Sequence, residues 1–135
     1  MIEHLTEPWT AAKILSVAML AACFLQSGID KVFDFQGNLG WLKGHFSKTP
    51  LRGQVLPMLL VVTLLECASG VLCAVGAVKI AMSGDATIAI YGAETVALTL
   101  VMLFTGQRIA KDYAGAATLV TYFILAAGTI VLLAH

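Results

Sequence analysis

The sequence predicts an all-α integral membrane protein: a four-helix bundle with an interfacial segment between helices one and two. Hydrophobic residues make up 59% of the 135 residues and charged residues only 12%, against about 45–50% and about 25% in soluble domains. Four long apolar stretches come close to the roughly 20 residues that a membrane-spanning helix needs. Such low charge also excludes intrinsic disorder. The 8 basic and 8 acidic residues cancel, so no basic excess is present to bind nucleic acid.

The four predicted spans form one domain, residues 1–135, and cover roughly 10–30, 54–78, 87–104 and 113–134. Membrane strands are excluded because the apolar runs do not alternate. The Ala, Leu and Gly content favours closely packed helices. Pro57 falls in the first turns of the second span, where a proline is tolerated.

The charges of the connections predict how the chain is oriented. Four spans place connections one and three on the same side. Because cytoplasmic loops are enriched in Lys and Arg, we predict a multi-pass cell-membrane protein with both termini on the non-cytoplasmic side. The side predicted to be cytoplasmic holds Lys31, Lys43, Lys48, Arg52, Arg108 and Lys111, and the other holds Lys13 and Lys79.

Cys23 ends a Leu-Ala-Ala-Cys run that resembles a lipoprotein processing box. A signal peptide carries a positive leading region, whereas Glu3 and Glu7 precede a single Lys13 here. Apolar residues also continue the helix after the cysteine. We therefore interpret Cys23 as a small residue in a packed span.

The cysteines and histidines predict neither a disulfide framework nor a metal site. Cys67 and Cys73 are six residues apart and so lie on different faces of a helix, and neither forms a CxxC pair. The histidines, at positions 4, 45 and 135, all lie outside the predicted spans, and we interpret them as solvated. We expect no intrinsic cofactor, because haem, flavin, iron–sulfur and dinucleotide motifs are missing from the sequence.

Two acidic residues fall inside spans, Glu66 near the middle of span two and Glu94 near the middle of span three. An ionisable side chain at the bilayer centre costs about 2.5–3.5 kcal/mol or more. We therefore expect both glutamates to face the bundle interior. Helical spacing adds polar neighbours to each: Thr63 with Glu66 on span two, Tyr91 with Glu94 on span three, Tyr122 on span four, and Gln26 near the end of span one.

Two interpretations of the glutamates compete. They are either hydrogen-bonded to nearby hydroxyl groups and hold the helices in register, or they form a proton relay or line a small polar pocket. A second pattern lies on span three, where Ala89, Ala93 and Ala97 form a seam of small residues that lets helices approach closely.

The connection after span one begins with an amphipathic stretch, 28–35, which we expect to extend that span into the interface. Three glycines, Gly37, Gly40 and Gly44, are expected to break the helix after it. Trp41 suits the depth at which aromatic rings settle. Two interpretations of the segment compete. It is either an interfacial helix with an anchor, or it is a lid or a docking surface for a partner or a quinone head group.

Three stretches resemble the DoxX family of small four-helix membrane proteins. The first runs from Gln26 to Phe33 and is similar to that family's Gly-x-x-Lys-φ-Phe signal, where φ is apolar. The second, 65–72, contains Glu66 and a small-residue and Leu run. The third, 106–112, fits a short polar turn before span four. The likeness covers roughly residues 12–134. Ser69-Gly70 stands where the family pattern has Gly-Gly.

The resemblance implies a membrane subunit or anchor in a quinone-linked redox or envelope system. Some relatives look like subunits tied to thiosulfate:quinone oxidation, and others are associated with oxidative-stress complexes. Lys31 and Glu66 are carried over onto matching positions. Asp30, Lys31 and Arg108 are expected at the cytoplasmic boundary. Whether the chain is catalytic stays open, and a bound quinone and other membrane or redox subunits are its expected partners beside the bilayer. The alternatives are a small transporter or proton-relay protein and a purely structural scaffold.

Overall fold

The computed structural model describes residues 7–134, which form five helices. We number them in chain order: α1 Pro8–Phe33, α2 Phe35–His45, α3 Val55–Ser83, α4 Thr87–Ile109 and α5 Tyr113–Leu133. No strand occurs in this range. Four of the helices, all except α2, are long and apolar enough to cross a bilayer. The chain is thus an all-α, multi-pass membrane protein, as predicted.

The ends of the helices follow from local chemistry. Glu7 caps α1, because its carboxylate accepts hydrogen bonds from the backbone N–H of Trp9 and of Thr10. Pro8 occupies the first turn, where its missing N–H has no cost. Gly84 ends α3 in the left-handed region, with φ of 76°, which a residue without Cβ adopts readily. Asp112 caps α5 by accepting from the N–H of Gly115.

The predicted boundaries are close to the observed ones, but two helices run further than expected. α3 continues to Ser83 and α4 to Ile109, each several residues beyond the apolar span. Hydropathy marks the part of a helix that suits lipid, whereas hydrogen bonding carries the helix on into the interface. Pro57 lies in the first turn of α3, as predicted.

The bundle is held by close approach at small residues. α1 packs along α3, α3 along α4, and α4 along α5. A Cβ added at Gly28 would lie 2.8 Å from Sγ of Cys67, and one added at Gly76 would lie 2.5 Å from Cα of Ala89. In lipid, helix association depends on such van der Waals packing, because the surrounding tails are as apolar as the side chains.

The main core lies where α1, α3, α4 and α5 converge. Ala89 and Ala93 are fully buried there, which confirms the small-residue seam predicted for span three at these two positions, while Ala97 is partly buried. Cys23 packs against the same core, in line with its interpretation as a helix residue. The buried members are Val17, Leu20, Ala21, Phe24, Cys73, Ile80, Ala89, Ala93, Val96, Leu100, Ala126 and Leu133.

The segment after α1 is a helix, and the prediction that its glycines break the helix is wrong. The chain bends at Asp34, with φ of −125° and ψ of 48°, and α2 then runs through Gly37, Gly40 and Gly44. An internal glycine costs only about 1 kcal/mol relative to alanine. A second, smaller core offsets that cost, because α2 and the turn after it pack on the start of α3 through Leu39, Phe46, Val55 and Leu59.

Candidate functional site

An ion pair links α1 to α3 inside the bundle. Nζ of Lys31 lies 3.1 Å from Oε1 and 3.2 Å from Oε2 of Glu66. The same Nζ donates a 2.8 Å hydrogen bond to Oγ of Ser27, one turn earlier in α1. Glu66 is buried, with 3% of its side chain exposed, and the Lys31 side chain is 18% exposed. Each buried charge therefore has a partner of opposite sign, as burial requires.

The ion pair lies at the C-terminal end of α1 but well inside α3, away from the N-terminal end of that helix. Lys31 lies in the last turn of α1, whereas Glu66 lies about three turns into α3. Gly28 packs against Cys67, and Leu25 packs against Gly70, so the two helices run antiparallel and α1 ends while α3 continues. The first turns of α3 are covered by α2 instead.

A cavity of about 470 Å³ lies just beyond the C-terminal end of α1. It lies between α2, the start of α3, the end of α4 and α5, and Lys31 borders it. Its size is within the roughly 300–1,000 Å³ of small-molecule sites, which are mostly apolar with a few polar groups. Its walls are Lys31, Asn38, Trp41, Leu42, Phe46, Gln54, Val55, Pro57, Met58, Leu59, Val61, Val62, Met102, Leu103, Gly106, Gln107 and Leu119.

α2 is fastened over this cavity at its C-terminal end. Nε2 of His45 lies 2.7 Å from Oε1 of Gln107, at the end of α4. The His45 ring also stacks on Trp41, with ring centroids 4.7 Å apart, and lies 3.8 Å from Oδ2 of Asp112. Trp41 and Gln107 are both cavity walls. The contacts of His45 thus position two lining residues.

The two glutamates do not share one environment. Glu66 is buried, as predicted, but Glu94 is exposed on the outer surface of α4 and Tyr91 beside it is 61% exposed. The prediction that Glu94 faces the bundle interior is wrong. α4 turns its small residues, among them Ala89 and Ala93, toward α3, because only that face allows the backbones to approach. The neighbouring polar face of α4, which carries Tyr91 and Glu94, therefore lies on the outer surface of the bundle.

Three other predicted interior residues also lie elsewhere. Gln26 is exposed on α1 and Tyr122 is exposed on α5, because these helices pack through Phe24, Ala126 and their apolar neighbours. Thr63 is half-buried, but its hydroxyl donates to the backbone carbonyl of Leu59 within α3. None of the three reaches the Lys31–Glu66 pair.

Of the three predicted boundary charges, two are at the surface. Asp30 and Arg108 are exposed, and the guanidinium of Arg108 lies over the ring of Tyr113, 4.5 Å from its centroid. Lys31 instead turns back along α1 into the bundle. A sequence shows that Lys31 and Glu66 are charged, but their pairing depends on the register of α1 against α3.

The sequence interpretation passed over two cavity walls, Asn38 and Gln107, and His45, which contacts Gln107 and Trp41 from outside the walls. The solvated role assigned to His45 is wrong, since its ring is half-buried and hydrogen-bonded. A usable signal was present: two aromatic residues flank His45 within one helical turn. His4 and His135 lie outside the described residues.

Within residues 7–134, no group of three or more His, Cys, Asp and Glu side chains is arranged to hold a metal ion. The three cysteines are free thiols. Compared with family models, curated proteins and solved structures, the chain matches none. The likeness to the DoxX family therefore rests on its three short motifs.

Proposed function

We propose that this protein is a DoxX-like membrane subunit of a quinone-linked redox or envelope system and that it receives a quinone head group in the cavity below α1. The observation that carries the proposal is the position of Lys31. Its ammonium group is held by Glu66, and the same residue is one of the walls of a mostly apolar cavity. A quinone head group is a flat ring that carries carbonyl oxygens, so it suits an apolar cavity with one hydrogen-bond donor in its wall.

The ammonium group keeps donor capacity for such a ligand. Lysine has three N–H groups. Ser27 accepts one, and Oε2 of Glu66 accepts a second. The third N–H is left for a carbonyl oxygen in the cavity.

The cavity walls suit the rest of a quinone. Trp41 and Phe46 supply aromatic surface for a ring, and Val61 and Met102 are wall residues that are also exposed on the outside of the bundle. An isoprenoid tail leaving the cavity between them enters lipid. Quinone bound there would supply the electron-accepting chemistry, and the described residues contribute binding, orientation and one fixed charge pair.

The glutamate geometry does not favour the proton-relay alternative. A relay needs carboxyl groups that exchange protons through close neighbours, whereas Glu66 is buried against Lys31 and Glu94 lies on the outer surface. The scaffold alternative makes a distinct prediction, namely that Lys31 and Glu66 affect stability and leave quinone binding unchanged.

Tryptophan fluorescence tests the binding directly, because the chain has 2 tryptophans, Trp9 and Trp41, and only Trp41 lines the cavity. The full chain carrying Trp9→Phe is placed in nanodiscs and titrated with decylubiquinone. We expect saturable quenching of Trp41. The Trp41→Phe variant, which reports from Trp9, is the matched control for quinone dissolved in lipid and is expected to show only a linear, unsaturated response.

In the Trp9→Phe background, Lys31→Met is expected to raise the apparent dissociation constant for decylubiquinone at least about tenfold, because a hydrogen bond from a charged donor is lost. The double variant Lys31→Met/Glu66→Gln removes both charges and leaves neither unpaired. It therefore separates the loss of the hydrogen-bond donor from misfolding caused by an isolated charge. Equal, unsaturated quenching of both tryptophans, or unchanged affinity in both lysine variants, would refute the cavity as a quinone site.

The membership in a larger redox system is tested separately. The tagged chain is purified in mild detergent, and its proteins and lipids are identified by mass spectrometry. We expect a subunit that carries a flavin, haem or iron–sulfur centre together with bound quinone. Recovery of the chain with neither would contradict a redox-subunit role.

A further inference from the structure

The exposed face of α4 carries a regular stripe that the bundle does not use. Its members recur at alternating intervals of four and three residues, which is the heptad pattern of a coiled-coil seam. All of them are exposed. We call it the α4 outer stripe, and it consists of Thr87, Tyr91, Glu94, Leu98, Val101 and Thr105.

The stripe contains a carboxyl group at membrane depth without a partner. Glu94 lies about two turns into α4, a helix long and apolar enough to span a bilayer. Within residues 7–134, its side chain takes part in no hydrogen bond or ion pair, and the hydroxyl of Tyr91 has none either. Ionisable groups inside membranes almost always face protein or water, so an acid on the outer surface indicates that something covers it.

The stripe is complementary to itself. Tyr91 carries a donor and Glu94, one turn further along the same face, carries an acceptor. Two copies of the chain enter the membrane in the same orientation, so a twofold axis along the membrane normal places the two stripes side by side in parallel. Each Tyr91 then lies within one turn of the partner's acidic side chain, and both unsatisfied groups are paired. Leu98 and Val101 continue the seam with apolar contacts.

We propose that the α4 outer stripe is the interface of a parallel homodimer in which Tyr91 donates to the carboxyl group of Glu94 in the second copy. Interhelical hydrogen bonds of this kind contribute to helix association in membranes. None of the stripe residues lines the cavity, and the interface does not depend on the quinone proposal.

Disulfide cross-linking in native membranes tests the geometry. Single variants of the full chain, Leu98→Cys and Val101→Cys, are oxidised with copper phenanthroline. We expect covalent dimers from both. The controls are Leu15→Cys on α1 and Ile124→Cys on α5, which are similarly exposed, at 69% and 65%, but lie outside the stripe, and they are expected to stay monomeric.

The polar contact is tested by dissociation. Donor- and acceptor-labelled chains are mixed in vesicles, and energy transfer is measured as the lipid is diluted. Tyr91→Phe and Glu94→Leu are each expected to raise the dimer dissociation constant about tenfold, because a symmetric dimer loses both copies of the bond. Tyr122→Phe removes from α5 a hydroxyl that likewise has no hydrogen-bond partner among residues 7–134, and it is expected to change nothing.

Cross-links of equal yield at all four positions, or none at Leu98 and Val101, would overturn the proposal. A cross-link from the stripe to a different membrane protein would also overturn it and assign the stripe to that protein. Glu94→Leu that associates as well as the unmodified chain would show that the carboxyl group does not hold the copies together.

Discussion

Nζ of Lys31 lies 3.1 Å from Oε1 of the buried Glu66, in an ion pair that joins the last turn of α1 to α3. α1 ends at this pair, and α2 packs on the part of α3 beyond it. The cavity lies at the same place. The same pair therefore belongs to the fold and to the proposed site. This dual role makes its energetics measurable.

Removing one partner of this pair is expected to destabilise the protein strongly. Glu66→Leu leaves the Lys31 ammonium group unpaired and should lower the free energy of unfolding by about 2–3 kcal/mol. The double variant Lys31→Met/Glu66→Leu should recover most of that loss, since no isolated charge remains. Reversible unfolding in mixed detergent micelles measures the two single variants, Glu66→Leu and Lys31→Met, and the double variant.

Lys43→Met is the control for that cycle, because Lys43 is exposed on α2 and takes part in no ion pair within residues 7–134. If the double variant were as unstable as the sum of the single ones, the two charges would not be coupled.

Gly76 is expected to tolerate no larger residue. A Cβ there would lie 2.5 Å from Cα and 2.6 Å from N of Ala89, which are backbone atoms, so α3 and α4 would have to separate. Gly76→Ala should cost about 1–3 kcal/mol of unfolding free energy. Gly128→Ala is the matched control, because nothing lies within 4 Å of the added atom, and it should be neutral or slightly stabilising.

His45 is expected to hold α2 in place. His45→Ala removes the hydrogen bond to Gln107 and the stacking on Trp41, so the amides of α2 should exchange with deuterium faster. Those of α4 should be unchanged. Lys48→Ala, an exposed position just after α2, serves as the comparison. Unaltered exchange in α2 after loss of His45 would mean that the apolar contacts alone fix this helix.

Asp85 is expected to make stability depend on pH in the acid range. Its carboxylate accepts hydrogen bonds from the backbone N–H and the hydroxyl of Thr87, and these bonds, the backbone one first, hold the pKa of Asp85 below its ordinary value. A lowered folded-state pKa stabilises the protein above the unfolded-state pKa of about 3.9. That stabilisation is lost as the pH falls through the lowered folded-state pKa.

Asp85→Asn should therefore flatten the decline of the melting temperature below about pH 4. Asp34→Asn is the control, because the Asp34 carboxylate accepts no hydrogen bond within the described range. Identical pH profiles for the unmodified chain and Asp85→Asn would contradict the assignment.

The orientation predicted from Lys and Arg counts is tested by labelling whole cells with an impermeant maleimide. Ser47→Cys lies in connection one and Ser83→Cys at the other end of α3. We expect only Ser83→Cys to react before the membrane is opened. Reaction at Ser47→Cys alone would show the opposite topology, with connection one outside the cell.

The length of the apolar stretches was enough to predict the four long helices, and the inward position of Glu66 followed from the cost of a charge in lipid. The same reasoning failed for Glu94. α4 has two plausible faces, one polar with Tyr91 and one small with Ala89, and hydropathy does not rank them. Packing against Gly76 decided the choice, because helices in lipid associate through the face that allows the closest approach.

The sequence by itself determined the membrane class, the number of spans and which side chains carry charge, because these depend on residues within one segment. Only the tertiary structure decided that Lys31 meets Glu66, that His45 meets Gln107 and that a cavity lies between them. Those contacts join residues far apart in the chain. They depend on the register of one helix against another, which is set by the fit of small residues at each crossing and leaves no periodic trace in any single helix.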